Sequence, residues 1–383
     1  MKNKTVAIKK RLFKEIAQLR DERGFIRAGL PRYNRLFGRD SLIVSWQLLN
    51  IDSKICQKTL EILAKLQGKK TNKDNEEEPG KILHETGLKK KFNPEIPNLL
   101  FPYYGSVDST LWFLILFSFY FRKTKDRKFL KKYWPNVLSS LNWLINYGDK
   151  DNDLFLEYKR ENPKGLFHQG WKDSLKNHLK ISPPVAIVEV QGYQYLALKK
   201  IAKLSRTLSD RKLEKALILR AENLKKRFNE RFWMKKEKYF ALALDKNKKQ
   251  KKTITSNPGH LLFTGIVETR KVAGVAKRLF QKDLWTPYGI RTLSTKESDF
   301  DHYSSHLGSV WPHDNWIIAQ GMKKLGYKTE YLKIKKALLR VYKKLGFLPE
   351  FYGIVNNDII LEMEKPICYP QAWASGALLN FLS

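Results

Sequence analysis

The chain has 383 residues, and 73 Lys and Arg against 38 Asp and Glu give it a formal charge of +35 at pH 7. Hydrophobic residues make up 42% of the chain and aromatic residues 13%, which excludes a wholly disordered protein. The longest apolar run, residues 111–121, is about half as long as a membrane span, and the N-terminus lacks the apolar core of a signal peptide. Two cysteines exclude a disulfide framework and a four-thiolate metal site. We therefore expect a cytoplasmic protein that does not enter a membrane.

Lysine supplies most of the positive charge, in short clusters spread along the whole chain. Dedicated nucleic-acid binders more often concentrate their charge on one face and use arginine for bidentate contacts. The pattern therefore favours solvated helix faces. Non-specific contact with polyanions remains open as an alternative, and it is compatible with an enzyme core.

Hydrophobic periodicity predicts helices along nearly the whole chain. In chain order the predicted helices are 6–19, 39–50, 54–66, 107–122, 127–147, 184–204, 211–232, 259–267, 271–280, 311–325, 329–345 and 370–382. Residues 238–245 alternate in the manner of a strand and predict a small β-hairpin. The acidic segment 72–79 is expected to be a mobile insertion between two helices.

About twelve helices of ten to twenty residues suggest six helical pairs. The sequence has no visible repeat, which disfavours a solenoid. A closed toroid, in which an inner ring of helices is wrapped by an outer ring, fits the count and brings the loops together at one end. Since no stretch resembles an interdomain linker, residues 1–383 are predicted to form a single domain.

Seven loop segments combine aromatic side chains with carboxylates, amides and imidazoles: FGRDSLI, LHETG, YYGSVDST, HQGWKDS, VEVQGY, HLGSVWPHDN and LPEFYG. Carbohydrate binding explains this mixture, because sugar rings stack on aromatic faces while their hydroxyls need charged and amide partners. Hydrolysis of a glycosidic bond then needs two carboxyl groups, one protonated and one ionised.

Asp173 is the best candidate for the acid, because it lies in a short Gly-Trp-Lys-Asp turn. The neighbouring Trp171 would desolvate its carboxyl group and raise its pKa, whereas Lys172 would lower that pKa if it pointed inward. Glu350, in the segment Pro-Glu-Phe-Tyr, is the best candidate for the base. The plainer alternative for either residue is a helix cap or a surface carboxylate. Asp40 likewise fits a helix cap or, together with Arg39, a clamp on sugar hydroxyls.

Other kinds of site are disfavoured by their motifs. His84–Glu85 lacks the second histidine of H-E-x-x-H, and the chain has no GxxxxGK[ST], GxGxxG or GxSxG. Asp149, Asp151 and Asp153 imitate the start of an EF-hand, but the required glycine and closing glutamate are missing, so we interpret them as an acidic turn. We expect neither a metal nor a cofactor.

Several motifs together resemble bacterial and archaeal amylo-alpha-1,6-glucosidase-like proteins, the glycogen-debranching and glucoamylase-related glycosidases. The motifs, in order, are FGRDSLI, YYGSVDST, GLFHQGWKDS, PVAIVEVQGYQY, TSNPGHLLFTGI, YGIRTLS, HLGSVWPHDN and YPQAWASGALL. They extend over nearly the whole chain. The resemblance implies an all-α (α/α)6 barrel, in agreement with the helix count.

The resemblance also implies roles for individual residues. It makes Asp173 the general acid and Glu350 the general base of an inverting hydrolase, and it makes Arg39 and Asp40 a sugar clamp. The remaining residues that it places around the substrate are Glu85, Tyr104, Asp108, Trp171, Glu189, Gln191, Trp311, His313 and Asp314.

Two departures from the pattern shape the functional prediction. The residues after Ser174 read LKNH where relatives commonly have Gly-Asp, and the N-terminal β-rich domain of the relatives is not found in this sequence. Since that domain helps to position long glucans, we predict an exo-acting, inverting α-glucosidase that acts on short α-glucans or branch stubs. A trehalase-like or mannosidase-like activity on the same barrel, and a catalytically silent sugar- or polyanion-binding protein, remain as alternatives. The oligomeric state is left open.

Overall fold

The computed structural model describes residues 2–87 and 90–383, and it is mostly helical. Within these residues the α-helices are α1 (Lys2–Leu19), α2 (Gly38–Leu48), α3 (Ser53–Lys65), α4 (Ser109–Thr124), α5 (Arg127–Trp143), α6 (Val188–Thr207), α7 (Arg211–Arg231), α8 (Leu261–Thr264), α9 (Thr269–Leu279), α10 (Pro312–Lys324), α11 (Lys328–Leu345) and α12 (Ala372–Leu382). A π-helical turn, Leu144–Gly148, extends α5, and a 3-10 turn, Asn257–His260, precedes α8.

The helices form two concentric rings. The inner ring consists of α2, α4, α6, α8, α10 and α12; each contacts the next, and α12 contacts α2 to close the ring. The outer helices α1, α3, α5, α7, α9 and α11 pack around them. The sequences explain this division, since α4 is buried throughout Ser109–Tyr120 whereas α3 and α11 bury one face and expose the other. The prediction of an (α/α)6 toroid is confirmed.

Short antiparallel strands form within the loops between the helices. They are β1 (Leu36–Phe37), β2 (Glu85–Thr86), β3 (Ala186–Ile187), β4 (Trp233–Met234), β5 (Tyr239–Phe240), β6 (Ala243–Leu244), β7 (Gln250–Lys251), β8 (Trp285–Thr286), β9 (Gly289–Ile290), β10 (Gly353–Val355) and β11 (Asp358–Ile360). Strands β1–β2, β4–β5, β8–β9 and β10–β11 form pairs, and β3–β6–β7 form a three-stranded sheet.

The stretch 238–245 is therefore not one hairpin. Strand β5 pairs with β4, while β6 lies between β3 and β7 in a different sheet. All six residues from Tyr239 to Leu244 are buried, so the alternation did not mark one buried and one exposed face. The stretch instead contributes one strand to each of two small hairpins, β4–β5 and β6–β7, and further hairpins are formed by β8–β9 and β10–β11.

The acidic segment 72–79 is also better anchored than expected. Asn72 and Glu77 exchange backbone hydrogen bonds of 2.9 and 3.0 Å, and Asn75 and Glu76 are buried. The Asn75 side chain donates to the carbonyl of Pro102 at 2.9 Å, which ties the segment to the loop before α4. These polar contacts hold the segment against the barrel, so the expectation of a mobile insertion is wrong.

The topology determines where a site can form. An outer helix returns the chain between successive inner helices, so the inner helices run parallel and their N-termini gather at one end of the toroid. Among the described residues, no helix is long and apolar enough to cross a membrane.

Candidate active site

Several predicted residues lie where the inner helices begin. Arg39 and Asp40 are in the first turn of α2, and Asp108 immediately precedes α4. Glu189 opens α6, and Asp314 lies in the first turn of α10. Phe37, not Asp40, occupies the cap position of α2, so Asp40 is not the helix cap, but it lies in the first turn, where its carboxylate lies near the positive end of the helix dipole.

A buried arginine joins two of the predicted carboxylates. Arg39, which is 3% exposed, donates to both oxygens of Asp108 at 3.0 and 3.2 Å and contacts a carboxylate oxygen of Asp173. The hydroxyl of Ser106 donates to Asp108 at 2.8 Å and so helps to fix the carboxylate that binds Arg39. Burial raises the pKa of Asp173, and the positive charges of Arg39 and Lys365 oppose that rise.

Glu350 is held differently. Its carboxyl group is buried, and one oxygen accepts a hydrogen bond of 3.0 Å from the backbone N–H of Cys368. Burial raises the pKa of Glu350 to about 8, with a further contribution from the negative charge of Asp40. Asp40 is itself buried, and its pKa is raised to about 7.

Asp173 and Glu350 have neighbours in common. Burial raises the pKa of Tyr33, and the negative charges of Glu350 and Asp173 raise it further. The positive charge of Lys365 lowers the pKa of both. One tyrosine and one lysine therefore lie within electrostatic range of both carboxyl groups.

The orientation of Lys172, which the sequence left open, is now visible. Its side chain is 1% exposed, and its Nζ donates to the carbonyl of Thr292 at 2.8 Å and lies 5.1 Å from the centre of the Trp171 ring. Burial lowers the pKa of Lys172 to about 8, while the charges of Asp314 and Glu189 oppose this. Lys172 thus points inward, but towards these two carboxylates; its charge is not among the main influences on the pKa of Asp173.

Aromatic rings pack closely beside the candidate acid. Trp171 stacks on His260 with ring centres 5.8 Å apart and meets His313 edge-on at 5.0 Å. His313 in turn stacks on Trp373 at 3.7 Å, and Trp311 meets Trp171 at 6.0 Å. These contacts fix the plane of the Trp171 indole, two residues before Asp173.

A polar network lies among these rings. His260 is hydrogen-bonded through Nε2 to Asp314 at 2.7 Å and through Nδ1 to the hydroxyl of Tyr193 at 2.5 Å. Glu189 is fully buried nearby; burial raises its pKa, while His260, Asn257 and Lys172 lower it.

Three predicted residues are engaged mainly with the protein itself. The Gln191 amide is hydrogen-bonded to the backbone of Leu156 on both sides, at 2.9 and 3.0 Å, and the Tyr104 hydroxyl donates to the carbonyl of Leu66 at 2.7 Å. Glu85 accepts from Arg35 at 2.6 Å. Of the three, Glu85 is the one that interacts electrostatically with Asp173: the negative charge of Asp173 is among the causes that raise the pKa of Glu85, after burial.

Sequence reasoning missed several residues around the two carboxyl groups: Arg32, Tyr33, Lys365, Cys368, Asn257, His260 and Trp373. Asn257, His260 and Trp373 lie within the quoted motifs TSNPGHLLFTGI and YPQAWASGALL, which gave a usable signal. Tyr33 and Lys365 are in loops outside any of the quoted motifs, and only the tertiary fold brings them within range of Asp173.

The acidic turn is the one possible metal site among the residues that the structure describes. Carboxylate oxygens of Asp149, Asp151 and Asp153 lie within 4.8 Å of one another. The ammonium group of Lys248 contacts Asp151 at 2.8 Å and Asp153 at 2.9 Å, and Arg220 contacts Asp149 at 2.7 Å. Side-chain cations already balance this cluster, so the residues do not fit a metal site.

Replacement of Arg39 by leucine is expected to destabilise the fold by about 3–5 kcal/mol, because the charges of Asp108 and Asp173 would lose their partner in a largely buried place. The measurement is the free energy of unfolding from urea titration. Arg278→Leu, which breaks a more exposed ion pair with Asp283, is the control and should cost less. Equal losses in the two variants would contradict the importance of the Arg39 contacts.

Comparison with known proteins identifies the family of the chain. The family described as "Mannosylglycerate hydrolase MGH1-like glycoside hydrolase domain" matches residues 40–352, which is most of the chain. No curated protein matches the sequence.

Solved structures resemble the chain over nearly its whole length. An uncharacterized conserved protein from Thermus thermophilus is 13% identical, with a TM-score of 0.75 over 98% of this chain and 100% of that chain. The GH63 mannosylglycerate hydrolase from the same organism is 12% identical in its complex with Tris and 14% identical in its complex with glucose. Both complexes give a TM-score of 0.74 over 98% of this chain and 99% of theirs. These identities are low, so the likeness establishes the shared helical fold, whereas the family match identifies the class of enzyme. The chain belongs to the MGH1-like glycoside hydrolase family and is a glycoside hydrolase.

Proposed function

We propose that the chain is an exo-acting hydrolase that cleaves an α-linked glycoside with inversion, with Asp173 as general acid and Glu350 as general base. The observation that carries the proposal is a pair of carboxyl groups, buried in Glu350 and partly exposed in Asp173, that both have raised pKa values and both interact electrostatically with Tyr33 and Lys365. A glycosidase of this kind needs two carboxyl groups facing one sugar.

In the proposed reaction Asp173 gives its proton to the glycosidic oxygen as the bond from that oxygen to the anomeric carbon breaks. Glu350 accepts a proton from the water that attacks the opposite face of the sugar. Arg39, in contact with Asp173, stabilises the carboxylate that forms there. Water and substrate supply all the atoms of the products, and the anomeric carbon ends with inverted configuration.

The charges around the pair bear on which carboxyl group carries the proton. The pKa of Glu350 is about 8, whereas Asp173 contacts Arg39, which opposes the rise of its pKa. Before substrate binds, these charges favour a proton on Glu350. The opposite assignment, with Glu350 as acid and Asp173 as base, is therefore the second candidate. A comparison of leaving groups separates the two assignments.

The pH dependence of kcat/KM should reflect one proton shared between the two carboxyl groups. When the pair loses its last proton the reaction has no acid, so kcat/KM should fall as the pH rises through the Glu350 pKa of about 8. Asp40→Asn removes a negative charge that raises this pKa, so the alkaline limb should move to lower pH. An alkaline limb that stays in place in Asp40→Asn would contradict the assignment.

For the substrate, we propose a short α-glucan or branch stub, as the resemblance to amylo-alpha-1,6-glucosidase-like proteins implies. Arg39, Asp40, Glu85, Tyr104, Asp108, Glu189, Gln191, Trp171, Trp311, His313 and Asp314 are proposed to form or support the sugar site. Release of glucose from isomaltose, panose, maltotriose and trehalose tests this choice. Turnover of mannosides but not of any glucoside would contradict it.

A glycoside with an anionic aglycone is the second candidate substrate. Its support is the positive charge of Lys365, which acts on both Asp173 and Glu350, and that of Arg32, which acts on Glu350. The structural relative is named for mannosylglycerate, whose aglycone carries a carboxylate. A cation beside the carboxyl group that protonates the leaving group would attract the carboxylate of such an aglycone.

Lys365→Gln is therefore expected to raise the KM for mannosylglycerate by about tenfold, the value of one charge-assisted hydrogen bond. The KM for the neutral methyl α-mannoside should change little. Initial rates on both substrates measure the effect, and Lys277→Gln, on the exposed face of α9, is the matched control. Equal changes for the two substrates would contradict recognition of the anion by Lys365.

We further propose that residues 1–383 act as one domain in the cytoplasm. The closed ring of helices from α2 to α12 supports a single unit. Cys56 and Cys368 are both free and buried, as expected in a reducing compartment. Non-specific contact with polyanions remains an expectation from the charge of +35.

A further inference from the structure

One cavity of the protein is lined by neither Asp173 nor Glu350. It has a volume of about 130 Å³, and it lies between the anchored segment 72–78, the end of α5 and the loop that follows α5. Its wall reaches Ser106, Val107 and Gln169 but contains neither candidate catalytic residue. We call it the Glu76 cavity. By volume it has room for several waters, and hence for one small polar molecule.

The charge of the wall differs from that of the protein as a whole. Four lysines and five glutamates line the Glu76 cavity, which gives it a formal charge of −1 in a chain of +35. A phosphate or carboxylate ligand would gain little there and would find more favourable surfaces elsewhere on this chain. The wall therefore disfavours an anion.

The carboxylates of the wall already have partners. Glu76 accepts from the Gln169 amide at 2.6 Å, and Glu78 accepts from the indole N–H of Trp143 at 2.7 Å. Glu157 accepts from Lys248 at 2.5 Å. These contacts remove the demand for a cation, yet each carboxylate has several lone pairs and can accept further hydrogen bonds from hydroxyl groups.

Aromatic side chains complete the wall. Trp143 and Tyr158 are buried, while Tyr147 is half-buried and lies on the π-helical turn that ends α5. A combination of aromatic faces, paired carboxylates and lysine donors suits a neutral ring that carries hydroxyl groups. We propose that the Glu76 cavity is a second carbohydrate site, which binds a neutral monosaccharide or polyol without hydrolysing it.

The cavity is also connected to the candidate acid. Gln169, whose amide is held by Glu76, accepts a backbone hydrogen bond of 3.0 Å from Val107, the residue before Asp108. Asp108 holds Arg39, which contacts Asp173. A sugar in the cavity therefore lies against the segments that position the acid, but the binding proposal does not depend on catalysis.

The test is calorimetric titration of the full chain with D-glucose and with D-mannose. The wild type should bind sugar at a class of sites that is also present in Asp40→Asn. Because that variant alters the catalytic pocket, the remaining binding reports on the Glu76 cavity. Tyr147→Ala removes a half-buried aromatic face and should weaken that class by about tenfold. Tyr133→Ala is the matched control, since Tyr133 is also half-buried on α5 but does not line the cavity.

Thr71→Trp provides a second variant, because Thr71 is exposed at the rim and a bulky ring there would block entry without disturbing the core. Inorganic phosphate should not compete with the sugars. Unchanged binding in both Tyr147→Ala and Thr71→Trp, competition by phosphate, or no binding of either sugar outside the catalytic pocket would each overturn the proposal. Turnover is measured separately, so failure of the proposed hydrolysis leaves this result independent.

Discussion

Asp173→Asn is expected to lower kcat by about 10²–10⁴-fold on a disaccharide, because the glycosidic oxygen then leaves without a proton. The same variant should recover much of its rate on an α-glycosyl fluoride, since fluoride leaves readily without an acid. Steady-state rates of the wild type and the variant on both substrates measure the effect. The asymmetry between the two leaving groups is the signature of a general acid, and a merely structural role would lower both rates alike.

The control for this variant is Asp210→Asn. Asp210 is an exposed cap of α7 whose side chain accepts from the N–H of Leu213 at 2.9 Å, a role that asparagine also fills. It should keep wild-type rates on both substrates. A similar loss on disaccharide and fluoride in Asp173→Asn would contradict the role of Asp173 as acid.

Glu350→Gln is expected to lower kcat by a similar factor of about 10²–10⁴ on both the disaccharide and the fluoride. A better leaving group does not help here, because the attacking water still needs a base. The buried amide should keep the hydrogen bond from Cys368, so the fold should be retained. Rates on both substrates and a thermal unfolding curve check these expectations.

Glu222→Gln, on the exposed face of α7 in an ion pair with Lys199, is the control and should be fully active. If Glu350→Gln recovers on the fluoride while Asp173→Asn does not, the two roles are exchanged. The pKa of Glu350, about 8, gives that outcome a physical basis. If neither variant loses activity, the catalytic carboxyl groups lie elsewhere.

Much of the toroid could be predicted from the sequence because its inner helices are long and apolar. The run from Ser109 to Tyr120 has no polar face, which is what a helix surrounded by other helices requires. Helix α8 was harder: the predicted helix 259–267 is a 3-10 turn followed by four α-helical residues, and it ends where Gly265 adopts a φ of 89°. Pattern alone does not distinguish such a break from a continuous helix.

The errors had a different cause. Residues 238–245 alternate in sequence, but all of 239–244 are buried, so the rule for a half-exposed strand does not apply to them. The acidic segment 72–79 was judged by composition, yet its order depends on partners distant in sequence, such as Pro102 and Gln169. Local sequence carries no information about those contacts.

The candidate site shows the same division. Asp173 and Glu350 could be proposed from the sequence because each lies in a motif whose residue types suggest the chemistry. The contacts that set their charge were not predictable, since Arg39 reaches Asp173 across 134 positions of sequence and Lys365 comes from a loop without a pattern. Lys172 is adjacent to Asp173 in sequence, yet the direction of its side chain depends on the carbonyl of Thr292, which is distant in sequence. Sequence alone could not predict that direction.

The central claim is hydrolysis with inversion by Asp173 and Glu350, and the most direct test is the configuration of the first product. Proton NMR, recorded within the first minutes of hydrolysis of an α-linked substrate that is turned over, distinguishes the anomers before they equilibrate. We predict that the β-anomer appears first and that the signal is lost in Asp173→Asn and in Glu350→Gln. The α-anomer appearing first would mean retention, and it would contradict the proposed mechanism.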